Sequence, residues 1–451
     1  MKFQRSLIAA SIFSALLLSG CGSDSNDAAT PDAKKTTITV IDGYLEDAQI
    51  CVDRNKSGHC DADEIVGMTN ADGQIAINDA DLDFPIIAQT IAGKTRDQDS
   101  AGLARNSYEM VAHAGSTFVT PFTTMAAVSG VTMEELANDL SMELEIISSD
   151  YVGTKANEDS TISEEAKKAH LMARSLTSEL APKVSDNDAS QLSKSANTIS
   201  AEIDKSINED KNLDTLTIEI DDNGNAVSVE IISSLESYLE DEKPLYFASL
   251  NNTYVQEEGI STIEFNNGNY TVSNDKGGPD TGSYRVNNDD LIHVDEDGEF
   301  TEAFIYVSHS TSLAVTSDDD LNFWTKVDIT SDATVSPVFT QTMLENQVWY
   351  FLDDDSDDKE VVRMMAKMEF SADRVAITEN GNTEALPYNI TEDGKLHIDF
   401  PDGDRDLNVE IVTNDKHMLT VAESYLAKPT YSLMIKDEQL ANSIWSKWGN
   451  K

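Results

Sequence analysis

Thr262-Ile263-Glu264-Phe265, Gly282-Ser283-Tyr284-Arg285-Val286 and Leu291-Ile292-His293-Val294-Asp295 return roughly 104 positions later. There they read Lys367-Met368-Glu369-Phe370, Leu386-Pro387-Tyr388-Asn389-Ile390 and Lys395-Leu396-His397-Ile398-Asp399. An aromatic segment precedes each set, Leu250-Asn251-Asn252-Thr253-Tyr254 in the first and Leu344 to Tyr350 in the second. Apolar and polar residues alternate through both, the period of a strand with one buried face. The same order in both sets predicts an internal duplication, each copy a meander of short antiparallel strands. The copies are expected over 241–335 and 336–430. A helix should follow over 431–451, with Leu440, Ile444 and Trp448 spaced to form one apolar face. That face predicts core docking, with Trp445 and Trp448 as a sticky surface the alternative.

The strand rhythm resembles lipocalin-type small β-barrels or half-barrels. Such barrels either hold a ligand or are filled by their own side chains. His293 and His397 match in the repeat and point away from their apolar neighbours. They read as half-exposed strand histidines, with a ligand pair as the alternative. Asp353 to Asp358 is a charge run that reads as a solvated loop or a loose cation-attracting patch.

Working back toward the N-terminus, residues 121–240 carry helical spacing. Thr132-Met133-Glu134-Glu135 is a capping box opening a helix through Leu144. A second helix is predicted from Ser163 to Leu180, stopped by Pro182. A third runs from Asp186 to Ile207. His170 lies among apolar neighbours with no metal-ligand companion three or four residues away. Thr217 to Ile220 and Ala226 to Ile231 flank Asp221-Asp222-Asn223-Gly224-Asn225, a hairpin whose turn chemistry accounts for its acids. Phe118-Val119-Thr120-Pro121-Phe122-Thr123-Thr124 reads as a strand-to-helix junction, because Pro121 extends the residue before it and threonine caps helices.

Residues 37–120 are expected to form a β-sandwich. Strands are predicted at Thr37 to Val40, Gln49 to Val52 and Phe84 to Ile91. Asp42-Gly43 and Asn70-Ala71-Asp72-Gly73 read as hairpin turns. Between them lies Asp53-Arg54-Asn55-Lys56-Ser57-Gly58-His59-Cys60-Asp61-Ala62-Asp63-Glu64. Side-chain oxygens fall at positions 1, 3, 5, 9 and 12 of these twelve, and glycine at 6. The segment resembles the EF-hand calcium loop. The resemblance implies Ca²⁺ ligands from Asp53, Asn55, Ser57 and Asp61, the carbonyl of His59, and a bidentate Glu64. The alternative is an Asp-rich surface turn. A strand before the loop, in place of a long helix, limits the likeness to the loop itself. Loop and turns together are similar to the small β-sandwich modules of bacterial surface proteins, the SD-repeat B-like and Cna B-like type, which implies a structural calcium rather than an activity.

Lys2 and Arg5 precede an apolar run from Leu7 to Leu18, too short for a stable membrane span and fitting a signal peptide over 1–20. Leu18-Ser19-Gly20-Cys21 resembles the lipobox of bacterial lipoproteins. The resemblance implies cleavage before Cys21 and lipidation of Cys21, with 21–36 a flexible tether. Gly22 in place of Asp favours the outer membrane, on its periplasmic face or at the cell surface. In an oxidising compartment the two remaining cysteines, Cys51 and Cys60, can pair. Closing that ten-residue loop would contribute on the order of 2–3 kcal/mol.

The chain of 451 residues carries 82 acidic and 32 basic side chains, a formal net charge of −50. Such a surface repels nucleic acid and anionic lipid and attracts divalent cations. There is no Gly-x-Ser-x-Gly, His-Glu-x-x-His, P-loop or dinucleotide fingerprint, so no catalytic residue is assigned. The expectation is a multidomain α+β, calcium-binding, lipid-anchored envelope protein that binds a glycan, matrix polymer or surface protein. A lipocalin-like small-ligand carrier is the alternative. An envelope hydrolase would need two carboxylates in one cleft, roughly 5–10 Å apart.

Overall fold

The structure, a computed structural model, describes residues 34–221, 223–241, 243–274, 276–295, 298–330, 337–356, 360–401 and 406–449. The signal segment, Cys21 and most of the tether lie outside the described residues, as do Asp222, Asp357 and Asp358 of the acidic runs. The fold is mixed α+β.

Besides a short pair, Leu45–Glu46 with Arg96–Asp97, the described N-terminal part has seven strands: β1 (Lys35–Val40), β2 (Gln49–Val52), β3 (Ile65–Met68), β4 (Gln74–Asn78), β5 (Ile86–Thr90), β6 (Tyr108–Ala112) and β7 (Phe118–Val119). These seven form two small sheets, ordered β4-β1-β7 and β3-β2-β5-β6. Ile38 and Val40 of the first sheet share one core with Ile50, Val52, Ile86, Ala88 and Met110 of the second. The two expected hairpins do not form. β1 pairs with β4 and, in parallel, with β7, while β2 pairs with β3 and β5. Turn residues fix where the chain reverses. The choice of partner falls to the shared core. β6 escaped the sequence reading because all five of its residues are buried, which leaves no alternation to see.

Thr120 caps helix α1 (Pro121–Ser129) in a reciprocal box with Thr123, and the Thr124 hydroxyl accepts from the Val111 amide of β6. Helix α2 (Met133–Leu140) stops short of Leu144, because Ser141 takes the left-handed conformation at its end. The long helices α3 (Ser160–Thr177) and α4 (Ala189–Asn208) pack Leu171, Leu176, Ile199 and Ile203 on Ile218 of an antiparallel hairpin, Leu216–Ile220 with Ala226–Glu230.

The C-terminal half is two closed eight-stranded antiparallel barrels. The first runs from Leu245–Ser249 to Leu321–Thr325 and closes by pairing those two strands, Phe247 opposite Trp324. The second runs from Val348–Asp354 to Thr430–Ile435, with Phe351 opposite Met434. Its last strand therefore continues past residue 430. Both barrels carry a bulge in the sixth strand, at Phe304/Tyr306 and Ile411/Thr413. Both set a Phe edge-on to a Tyr, Phe265–Tyr284 at 4.8 Å and Phe370–Tyr388 at 5.0 Å. The segment Leu250 to Tyr254 is not a strand. Asn251 caps a short helix, Asn252–Glu258, after the first barrel strand.

Register separates the two histidines. Tyr284 faces His293, but Tyr388 faces Ile398. A one-residue offset moves a side chain to the other face. His293 is buried inside the first barrel, 3.3 Å from Glu302, whereas His397 of the second barrel is half-buried and lies opposite Asn389. By the same register Glu302 corresponds to Val409 and Trp324 to Met434. One barrel thus encloses a His–Glu–Trp group where the other is apolar. A third core lies between the barrels, where Phe323, Leu352, Leu433 and Tyr431 meet Leu440, Ile444 and Trp448 of the C-terminal helix α5 (Glu438–Lys447) and its end. Core docking is the role that helix takes.

Candidate functional site

The twelve-residue loop leaves the buried end of β2, where Asp53 N donates to Pro85 O. Asp53 is buried, and its two oxygens accept from the amides of Ser57 (2.9 Å) and Gly58 (3.1 Å). Gly58 sits at φ +73, a conformation glycine adopts without steric cost. Asn55 Oδ1 accepts from Ser57 N, and Asn55 Nδ2 donates to Asp61 Oδ2 at 2.8 Å. The Ser57 hydroxyl donates to the same Asp61 oxygen at 3.2 Å and reaches His59 O at 3.4 Å. These hydrogen bonds from Asn55 and Ser57 hold the Asp61 carboxyl below its ordinary value. Glu64 folds back to the start of the loop, its Oε1 accepting from Arg54 N and Asn55 N. The Cys51–Cys60 disulfide ties β2 to the loop.

The structure therefore gathers all six sequence-chosen residues into one turn. Among the described residues, no three His, Cys, Asp or Glu side chains form a metal-holding group. Asn55, Ser57 and the His59 carbonyl fall outside that chemistry but are oxygen donors suited to a hard cation. Glu64 Oε2 is buried and accepts no hydrogen bond. A buried acceptor left unpaired is costly, so the residues present fit a cation placed at that oxygen.

A second constellation was not read from the sequence. Asp42, Asp97 and Asp99 converge beside Gly43. A Cβ at Gly43 would collide with Asp97 Oδ1 and come to 2.9 Å from Asp99 Cγ. Asp99 accepts from His170 Nε2 (2.6 Å) and from Arg174 Nη2 (2.8 Å) of α3. Burial works to raise the Asp99 carboxyl, yet His170 and Arg174 hold it well below the carboxylate range. Burial lowers His170 against the pull of Asp99. Asp42 is pushed up to about 7 by burial and then by Asp99. Asp97 is raised well above its ordinary value by burial and then by Asp99 and Asp42. The readable signal was His170 and Arg174, four residues apart on one apolar helix face. An arginine buried there requires a carboxylate from elsewhere.

Asp42, Asp97, Asp99 and Arg174 are among the residues that line a cavity of about 400 Å³. Its walls come from the loop 97–106, the end of α3, the 216–232 hairpin region and the sixth-to-seventh strand turns of both barrels. Asp42 yields a pH prediction. Its folded pKa lies above its unfolded one, so the folded state holds the extra proton between pH 4 and 7, and stability falls as pH rises through that window. Asp42→Asn is expected to remove this slope. Thermal melts should show the variant gaining on the parent from pH 5 to pH 8, by an amount on the order of a few kcal/mol.

Comparison with protein-family models gives no match, and comparison with curated proteins gives none either.

Proposed function

We propose that the chain is a calcium-stabilised, lipid-anchored protein of the bacterial cell envelope, acting as a binding module for a glycan, matrix polymer or surface protein. In this reading the two N-terminal sheets are a sandwich module locked by the 53–64 loop. The observation that carries it is Glu64, buried across the loop from Asp53 with one oxygen unclaimed. Asp53, Asn55, Ser57, Asp61, the His59 carbonyl and Glu64 would hold the ion. Bound Ca²⁺ would supply the positive charge that lets these oxygens share one centre. The loop's own part is to stay ordered. Its backbone amides and the disulfide preset the turn, and no paired helices flank it to move as in calcium sensors, so the calcium is structural. Attachment is proposed through Cys21. No helix among the described residues is long and apolar enough to cross a membrane.

The packed interiors of both barrels favour this reading over a carrier with one ligand per barrel. The test uses the soluble chain from Gly22. Calorimetric titration should give one saturable calcium site, and thermal melts should rise with calcium and fall with chelator. At free calcium a hundredfold above Kd the gain is about 2.7 kcal/mol. Glu64→Gln should abolish both effects. Absence of saturable heat would reduce the loop to an acidic turn.

A further inference from the structure

We propose that the cavity between the N-terminal sheets, helix α3 and the two barrels binds a small organic amine. Its ammonium group would sit on Asp42 and Asp97, and its hydrocarbon body against Leu45, Ile220, Ile232 and Val307. The proposal does not rest on calcium binding at the loop.

Charge decides the first part. Of the three converging carboxylates, Asp99 alone has cationic or ring N–H partners among the described residues, Arg174 and His170. Arg174 is committed elsewhere too, donating through Nη1 to Leu216 O at 2.6 Å. Asp97 Oδ1 accepts only the Asp99 amide. Asp42 is 3% exposed, and its Oδ2 accepts from the Tyr108 hydroxyl. Its Oδ1 is buried with no hydrogen bond. The Thr177 hydroxyl beside it donates instead to the Arg174 carbonyl, at 2.7 Å. A buried acceptor in that state calls for a donor, and a carboxylate calls for a cation. An ammonium group brings three N–H donors and one positive charge. Around the whole cavity, lining carboxylates outnumber lysine and arginine side chains six to three, which disfavours an anionic guest.

Size and lining decide the second part. A volume of about 400 Å³ falls in the range of small-molecule sites, roughly 300–1,000 Å³. A bare divalent ion would leave most of it empty, and it would want about six oxygens. The acidic end offers Asp42, Asp97 and the Tyr108 hydroxyl. The rest of the wall includes Leu45, Ile220, Ile232 and Val307, which need hydrocarbon against them. Gly43 admits this arrangement, since any side chain there would occupy the place where the carboxylates meet.

The test is isothermal titration of the soluble chain at pH 8 in calcium, with tyramine and cadaverine as probes. Their deaminated counterparts, 4-ethylphenol and pentanol, are the controls. We expect saturable one-to-one binding of at least one amine, no binding of either control, and at least a tenfold loss in Asp42→Asn. That variant removes a buried charge and keeps the side-chain shape, so it should fold. Ile220→Trp, which fills the apolar end, should abolish binding while leaving the acidic end intact. Failure of both amines to bind, equal binding of the deaminated controls, or unchanged affinity in both variants would each overturn the proposal. So would competition by millimolar Mg²⁺ that displaces the amine completely, since the acidic end would then be a metal site.

Discussion

Arg174→Met should cost about 3–5 kcal/mol, because it leaves the buried Asp99 carboxylate without its cation. The arginine side chain is 8% exposed and that of Asp99 17%. Asp42 and Asp97 stand close enough to Asp99 to raise one another, so the loss brings repulsion as well as a missing partner. The hydrogen bond to Leu216 O also disappears, leaving the bond from Ile218 N to Ser175 Oγ between the hairpin and α3. The sign with pH is fixed by the direction of the shift. Asp99 is held low in the folded state, so its pairing stabilises above the unfolded pKa near 4, and that stability is lost as pH falls through the folded value. Urea melts should show a large defect at pH 7 that shrinks toward pH 3. Adding Asp99→Asn should restore part of the loss. A defect independent of pH and unrelieved by the second change would mean that Arg174 acts by packing alone.

Trp448→Ala is the second large effect, about 3–5 kcal/mol for a fully buried aromatic. Trp448 is 0% exposed and lies in the core between the barrels. Its ring lies under the Arg363 guanidinium, 5.2 Å away, and its carbonyl accepts from Arg363 Nη1 at 2.6 Å. Arg363 also reaches Asp354 of its own barrel and the Asp319 carbonyl of the other. One truncation thus loosens a junction that serves both barrels. Denaturant melts followed by tryptophan fluorescence should shift as a single transition. Trp445→Ala, at a half-buried position, should cost much less. Separate transitions in the Trp448 variant would show that each barrel stands without the seam.

The gathering of residues 53–64 into one turn was legible because they are contiguous. The barrels were legible as strands because duplicated residues kept their alternation. Closure was not legible. It depends on pairs such as Phe247 with Trp324 and Tyr350 with Ile435, some 80 residues apart, and no local signal names those partners. Register was hidden for a related reason. His293 and His397 match as letters, yet Tyr284 and Tyr388 face different neighbours. The acidic constellation drew on Asp42, Asp97, Asp99, His170 and Arg174, far apart in the chain. Asp42 alone read as a turn residue and His170 as one among apolar neighbours, and no local pattern tied them to Asp97 or Asp99.

The place of β1 has a mechanical meaning. If the tether is fixed to a membrane as proposed, drag on the protein enters the described fold at Lys35, the first residue of β1. β1 is the middle strand of its sheet, with β4 antiparallel on one side and β7 parallel on the other. Tension along it meets the β4 ladder first, from Lys35 to Thr39, and the β7 pairs only at Thr39 and Val40, where the strand is already buried. Resistance to such force is set by the height of the unfolding barrier. A strand paired along one side from its first residue, and gripped on both sides at its buried inner end, suits a chain loaded from its start.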